Sequence, residues 1–442
     1  MKTDHETTPD IAANLGRELS DWRLWAARAV VIGFAALTGL VIAGFTWLSD
    51  MALRAFWLLH GNVWWWALVW TPALTALVVW ITRKWFDGAS GSGIPQVIAA
   101  LDPSTPADRI GLFVSLRLSV AKLLLTTLGL LAGLSTGREG PSVQVAAGAM
   151  RHARRWLPDR SRISEHGLMA AGGAAGVAAA FNTPLGGIMF AIEQLSRKPE
   201  DRSSGLLISA IVLAGLIAVS LHGPGAYFGR IQVASLPGTL WGPALVVTLA
   251  CGVLGGLFAR LLTVSLTGVG VDRFSRWRRA APIRFAATCG LAVAVIGVAS
   301  GGATFGSGYQ TTMDLLQGHD DTTLLYVPLR MLATWLSAWS GVPGGVFAPA
   351  LAIGAGIGND VASWLGPEQV TPLIALGMAG FLAAVTRAPI TSFIIVMEMI
   401  EGHSLVLSLM ACAMASSGIA RLISPSMYEA LAVHQRQRLE KP

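Results

Sequence analysis

Long apolar runs, separated by short charged or glycine-rich stretches, fill the chain. The windows Val30–Leu48, Val63–Ile81, Leu112–Leu134, Leu206–Leu221, Pro243–Leu266, Phe285–Ala299 and Leu405–Ala420 are mostly apolar, over about the 17–25 residues a helix needs to cross a bilayer. A water-soluble protein can bury a few such helices, but this many leave no polar shell. The pattern predicts an all-α polytopic membrane protein. The stretch Ser164–Leu195 breaks the rule: it holds two short apolar runs interrupted at Phe181-Asn-Thr-Pro184, with basic residues beyond both ends. Each run is too short to cross comfortably, which predicts two tilted half-helices meeting inside the membrane. Irregular backbone at that depth survives only where protein or a cavity covers it.

The interruptions repeat. Gly137-Arg-Glu-Gly-Pro141 is followed by Gly148 at the spacing that separates Pro349 of Gly345-Val-Phe-Ala-Pro349 from Gly356. Pro184 precedes Glu193 by the same interval as Pro389 precedes Glu398. From Gly137 to Gly345 is 208 residues and from Pro184 to Pro389 is 205, so two independent motifs share nearly one period. Glycine- and proline-broken segments at matching places in two halves point to a transport site near the bilayer midplane. The expected organisation is an N-terminal cytoplasmic or interfacial segment (1–28), membrane halves over 29–222 and 223–428, and a cytoplasmic tail (429–442).

Composition agrees. Of the 442 residues, 53% are hydrophobic and only 13% charged, about half the charge of a soluble domain. The net charge of +7 is gathered at Arg151–Arg162, Arg197–Arg202, Arg273–Arg284 and Arg436–Lys441. These clusters flank apolar segments, so the positive-inside tendency places them on the cytoplasmic face and no nucleic-acid partner is expected. The leader, amphipathic around Leu19–Arg28, is expected along that same face, and many of the 16 Trp residues sit near segment ends, as interfacial residues do. The first apolar stretch begins near Ala26 with no small-residue cleavage site after it, so no cleavable signal peptide is expected. Cys251, Cys289 and Cys412 lie far apart in apolar runs, which fits core packing and neither a disulfide framework nor a metal site. The eight histidines are scattered and no HExxH pair occurs. An intramembrane enzyme is therefore not expected, nor any metal or cofactor.

Chemistry concentrates at three breaks: Gly91-Ser-Gly-Ile-Pro95, Gly137-Arg-Glu-Gly-Pro141 and Gly344-Gly-Val-Phe-Ala-Pro349. Each passes from small residues through Pro into an apolar run, and Pro is tolerated in a helix's first turn because that N–H has no intrahelical partner. Each break thus predicts a helix N-terminus inside the apolar zone. Unpaired N–H groups and the positive end of the dipole suit such termini to anions. Kinks for close helix packing are the alternative for any one motif. Glu139 is the intramembrane acid at the second break, and acids at such depth are costly and functional by default. A carboxylate there can compete with an anion for the same donors and leave when protonated; an ion pair with Arg138 is the competing role.

The three breaks in this order, with Phe181-Asn-Thr-Pro184 between the second and third and Tyr428 near the C-terminus, resemble the CLC chloride channel and transporter family from about Gly91 to Tyr428. The resemblance implies a homodimer in a bacterial inner membrane, each subunit with its own pore and roughly eighteen helices in two inverted halves, without the cytoplasmic CBS pair of eukaryotic members. It implies that the hydroxyls of Ser92 and Tyr428 and the backbone N–H groups of Val346 and Phe347 hold the anion, with serine at position 92 associated with chloride. It implies that Glu139 is the gate that exchanges protons. Ser92 read by itself is a helix cap, and Tyr428 by itself an interfacial aromatic.

One position departs from the family pattern. Proton-coupled members carry two adjacent carboxylates where this chain has Glu193-Gln194, and an amide cannot relay a proton by ionising. Glu193 is retained as the second candidate for proton handling, with Glu398 as a further possibility. The expected function is chloride/proton antiport, with a passive chloride channel as the alternative that Gln194 raises.

Overall fold

A computed structural model describes residues 22–440 except 64, 159–160, 162, 196–203, 224–226, 230–235, 269, 271, 320–321 and 364–369. The start of the leader, including Leu19, and the Arg197–Arg202 cluster therefore lie outside the described residues. Within them are eighteen α-helices and no strand. The first eight are α1 (Trp22–Asn62), α2 (Trp66–Trp85), α3 (Ile94–Leu101), α4 (Leu116–Leu131), α5 (Glu139–His152), α6 (Glu165–Phe181), α7 (Pro184–Phe190) and α8 (Ser204–His222). The next five are α9 (Trp241–Thr267), α10 (Arg273–Ala280), α11 (Pro282–Ala299), α12 (Tyr309–Leu316) and α13 (Tyr326–Ser340). The last five are α14 (Phe347–Ala362), α15 (Val370–Thr386), α16 (Pro389–Met399), α17 (Val406–Ile423) and α18 (Met427–Glu440).

Six helical stretches are long and apolar enough to cross a membrane: 22–61, 66–85, 110–131, 238–267, 282–299 and 403–423. Their outer faces carry exposed apolar side chains such as Leu40, Val120, Leu245 and Met414, the reverse of a soluble surface and the expected dress for lipid contact. Inside this ring lie α5, α6, α14 and α15, which are shorter and almost entirely buried. Small residues let these inner helices touch backbone to backbone. A β-carbon at Gly354 in α14 would strike the carbonyl of Gly377 in α15.

The repeat seen in the sequence is a repeat of structure. The broken segment 164–195 forms α6, a left-handed residue at Asn182 (φ 59°), and α7 starting at Pro184. In the other half, α15 leads through left-handed Arg387 (φ 61°) to α16 starting at Pro389. Two fully buried basic side chains share the longer offset. Lys122 Nζ donates to the carbonyls of Ala89 (2.8 Å) and Gly91 (2.6 Å). Arg330, 208 residues on, donates to Ala303, Phe305 and Gly306 at 3.3, 3.3 and 2.8 Å. Each half therefore braces a glycine-rich loop with one basic side chain from the following long helix. The basic clusters that are described share one side: Arg278 and Arg438 line one cavity, and Arg151 donates to Val114 (2.6 Å) next to a second cavity lined by Arg117 and Arg438.

Close packing of α14 on α15 makes a test. Gly354→Val inserts three carbons where backbone already stands, and overpacking of this kind costs about 1–3 kcal/mol. The variant is expected to unfold in detergent at a lower temperature than wild type, measured by tryptophan fluorescence.

Candidate functional site

The site forms where the three predicted breaks meet. Gly137 and Gly345 exchange both backbone hydrogen bonds, 2.8 and 2.7 Å, in an isolated antiparallel bridge. Thr136 Oγ1 also donates to the Gly345 carbonyl (3.1 Å). The first break joins them because the Gly344 N–H donates to the Gly91 carbonyl (3.0 Å). As the sequence predicts, α5 begins at Glu139, α14 at Phe347 and α3 at Ile94 with Pro95 in its first turn.

Local chemistry fixes the first loop. Gln96 closes it from both directions, its Oε1 accepting from the Gly93 N–H (3.0 Å) and its Nε2 donating to the Ser90 carbonyl (2.5 Å). Gly93 has φ +106°, and a β-carbon there would stand 2.7 Å from the Gly140 carbonyl. No L side chain fits that backbone or that gap. The approach puts the Ser92 hydroxyl against the first turn of α5 at Gly140. Tyr428 reaches the same place from the first turn of α18, its ring stacked on that of Phe347 with centroids 6.1 Å apart and planes within 15°.

Ser92 Oγ and Tyr428 Oη are buried, and neither has a hydrogen-bond partner of ordinary geometry among the described residues, although the two hydroxyls are close enough to interact. A buried hydroxyl left unpaired costs about 1–3 kcal/mol, so both hydroxyls have capacity to donate to a ligand. The hydroxyls face a cavity of about 100 Å³ that is also lined by Val346, Arg278, His434 and Arg438. Val346 is the residue before α14 and Phe347 its first, so their N–H groups belong to the unpaired set of that terminus. Hydroxyl donors, a helix N-terminus and cations at the basic opening make a cavity suited to a small anion.

Glu139 occupies the neighbouring position. It is 1% exposed, and its carboxylate lies against Gly137 with the N–H groups of Glu139 itself and Ala348 within electrostatic reach. The acid thus rests on the first turn of α14, the same terminus that faces the cavity. Arg138 does not pair with it. The Arg138 guanidinium binds the carboxylate of Asp50 in α1 and donates to the Thr46 carbonyl (3.2 Å).

Glu193 is engaged elsewhere. It lies in a π-helical turn, Ala191–Leu195, that continues α7. Its carboxylate accepts from the N–H of Ile390 (3.1 Å), the N–H of Thr391 (2.7 Å) and the Thr391 hydroxyl (2.7 Å), capping α16. Glu398 does the converse, accepting from Leu185 (3.2 Å) and Gly186 (2.7 Å) at the start of α7. The paired Pro–Glu spacing in the sequence is therefore a swapped pair of caps: each half's acid closes the other half's helix. Gln194 donates to the Thr386 carbonyl (3.2 Å). The structure brings Ser92, Val346, Phe347, Tyr428 and Glu139 together, while Glu193 serves the junction of the halves. Sequence reasoning missed Lys122 and Asp50. A lone lysine in an apolar run was the available signal for the first, and nothing local marks the second.

The family model described as voltage gated chloride channel matches residues 74–421. The H(+)/Cl(-) exchange transporter ClcA of Salmonella typhimurium is 30% identical, over 93% of this chain and 90% of its own length. Its counterpart in Salmonella paratyphi A is 31% identical, over 89% and 85%. Among solved structures, a slow cyanobacterial Cl-/H+ antiporter superposes with TM-score 0.79 at 23% identity, over 94% of this chain and 99% of that one. A CLC-type fluoride/proton antiporter gives 0.74 at 21% identity, over 93% and 99%.

The swapped caps can be tested without any transport assay. Glu193→Ala leaves two N–H groups of α16 uncapped, which costs about 1–2 kcal/mol. A lower unfolding temperature in detergent is expected, with Glu193→Gln falling between the alanine variant and wild type because an amide oxygen still accepts.

Proposed function

The chain belongs to the CLC family, and on that premise we propose that it is a chloride/proton antiporter in which Glu139 is the gate and the proton carrier. CLC transporters are not enzymes, and the reading needs no cofactor; chloride is cargo. The observation that carries the proposal is the Glu139 carboxylate resting on the α14 terminus beside a cavity with two unpaired hydroxyls. A carboxylate in that position stands in for the anion it excludes. Protonation removes its charge, weakens its hold on the N–H groups and frees the passage. Anion and proton then compete for one place, which is the basis of exchange. Ser92, Tyr428 and the N–H groups of Val346 and Phe347 bind the chloride. Donors without a paired full charge suit transport, because the ion must leave as readily as it enters.

The names of the ClcA relatives support exchange. A passive channel is the second reading, and one observation favours it: position 194 holds an amide bonded to the Thr386 carbonyl, and Glu193 is engaged as a cap. The proposal extends to a homodimer spanning an inner membrane several times, with halves over 29–222 and 223–428 and the basic side facing the cytoplasm. Exposed apolar residues around the swapped caps, Leu185, Ile192 and Ile390, support a second subunit there.

Two measurements on purified protein in liposomes test this. An imposed chloride gradient is expected to drive protons uphill; robust chloride flux with no proton movement selects the channel. Glu139→Gln mimics the protonated gate, so chloride flux is expected to persist while its pH dependence flattens. Flux as steeply pH-dependent as wild type removes Glu139 from the gate.

A further inference from the structure

We infer that Asp50 is a positioning residue for the gate: it holds the Arg138 guanidinium away from the adjacent Glu139 carboxylate, so that the gate can open. The inference rests on the reading of Glu139 as gate and adds to it a residue on a different helix.

The geometry carries it. Arg138 and Glu139 are consecutive at the start of α5, and Arg138 is largely buried, its side chain 12% exposed. A buried guanidinium needs a counter-charge and hydrogen-bond acceptors. The adjacent acid offers both, yet Arg138 takes them from α1, at Asp50 and the Thr46 carbonyl. The Nε of Arg138 and both oxygens of Glu139 are left without a hydrogen bond of ordinary geometry. Groups that could pair with each other are therefore kept apart, with Asp50 supplying the competing anion. Asp50 is itself half-exposed, its side chain 47% accessible, so it reaches its place from the rim of the site. Since α5 ends at the basic side with Arg151, and its 14 residues rise about 20 Å, this rim lies on the side away from the basic clusters.

Asp50 is the acid outside α5 that acts on Arg138 among the described residues, alongside the Tyr227 phenol. Arg138 and Asp50 are the side-chain charges that act on Glu139. The phenol of Tyr227 lies within electrostatic reach of Arg138, Glu139 and Asp50, that of Tyr309 within reach of Arg138 and Asp50, and that of Tyr428 within reach of Glu139. Without Asp50, the nearest anion for the guanidinium is the gate. A charge-assisted bond from Arg138 would then strengthen the closed carboxylate, and a proton would have to displace it.

The test is chloride flux of the full-length protein in liposomes over a series from acidic to neutral pH. Asp50→Asn is expected to move half-maximal flux to lower pH by about 1–3 units, the range over which an opposite charge stabilises a carboxylate. Asp50→Glu is expected to restore the profile towards wild type. Placed on Glu139→Gln, where there is no carboxylate to capture, Asp50→Asn is expected to leave flux unchanged. Should the single variant not reconstitute, Asp50→Asn combined with Arg138→Gln serves in its place, and the acid shift is expected to be absent because no guanidinium remains. An unshifted profile for Asp50→Asn, an equal loss of flux on the Glu139→Gln background, or an acid shift that survives Arg138→Gln overturns the inference. Failure of the gate itself reads out separately, as wild-type pH dependence in Glu139→Gln alone.

Discussion

Two hydrogen bonds between Gly137 and Gly345 hold the rest of the site in place. They are the exchange that two antiparallel strands make at a single position, here set between broken helices within a membrane. Unpaired backbone at that depth is costly, and the bridge solves the problem for both halves at once, since each break satisfies the other. Only glycine-like backbone lets the chains approach so closely. Once the bridge is made, the helices leaving the two breaks diverge, and their N-termini are left side by side: Glu139 begins one and Phe347 the other. The cavity and the Glu139 carboxylate are neighbours because two glycines bond.

Much of this was legible in the sequence. The membrane class followed from apolar windows, and five of the site's side chains and N–H donors followed from glycine–proline breaks and a family resemblance. Physical reasons limit the remainder. The windows found the lipid-facing helices but passed over α14 and α15, which are buried on every side and too short to stand out by length. Glu193 is a candidate for proton handling through the family pattern alone; its bonds to α16 reach residues almost 200 positions away, which no local pattern reveals. Asp50 was invisible for the same reason. It is an ordinary half-exposed acid until α1 brings it to Arg138.

The two buried basic side chains show how the halves differ. Lys122 and Arg330 do comparable work on carbonyls of comparable loops, yet of the two it is the first loop that lines the cavity beside Tyr428. A β-carbon at Gly308 in the second would meet the Arg330 guanidinium, so the brace packs tightly against that loop. The shared brace preserves the scaffold in both halves, while the cavity lies against one.

The swapped caps carry a consequence for how the chain is made. The start of α7 is closed by Glu398, which lies 213 residues beyond Leu185. A ribosome therefore delivers the whole first half, already passing through the membrane, with that helix end still open. It stays open until nearly the last helices appear. The first half must wait in the bilayer as an unfinished object, and the event that completes it also completes the second. Birth order thus makes the two halves one unit of assembly, however alike they are in design.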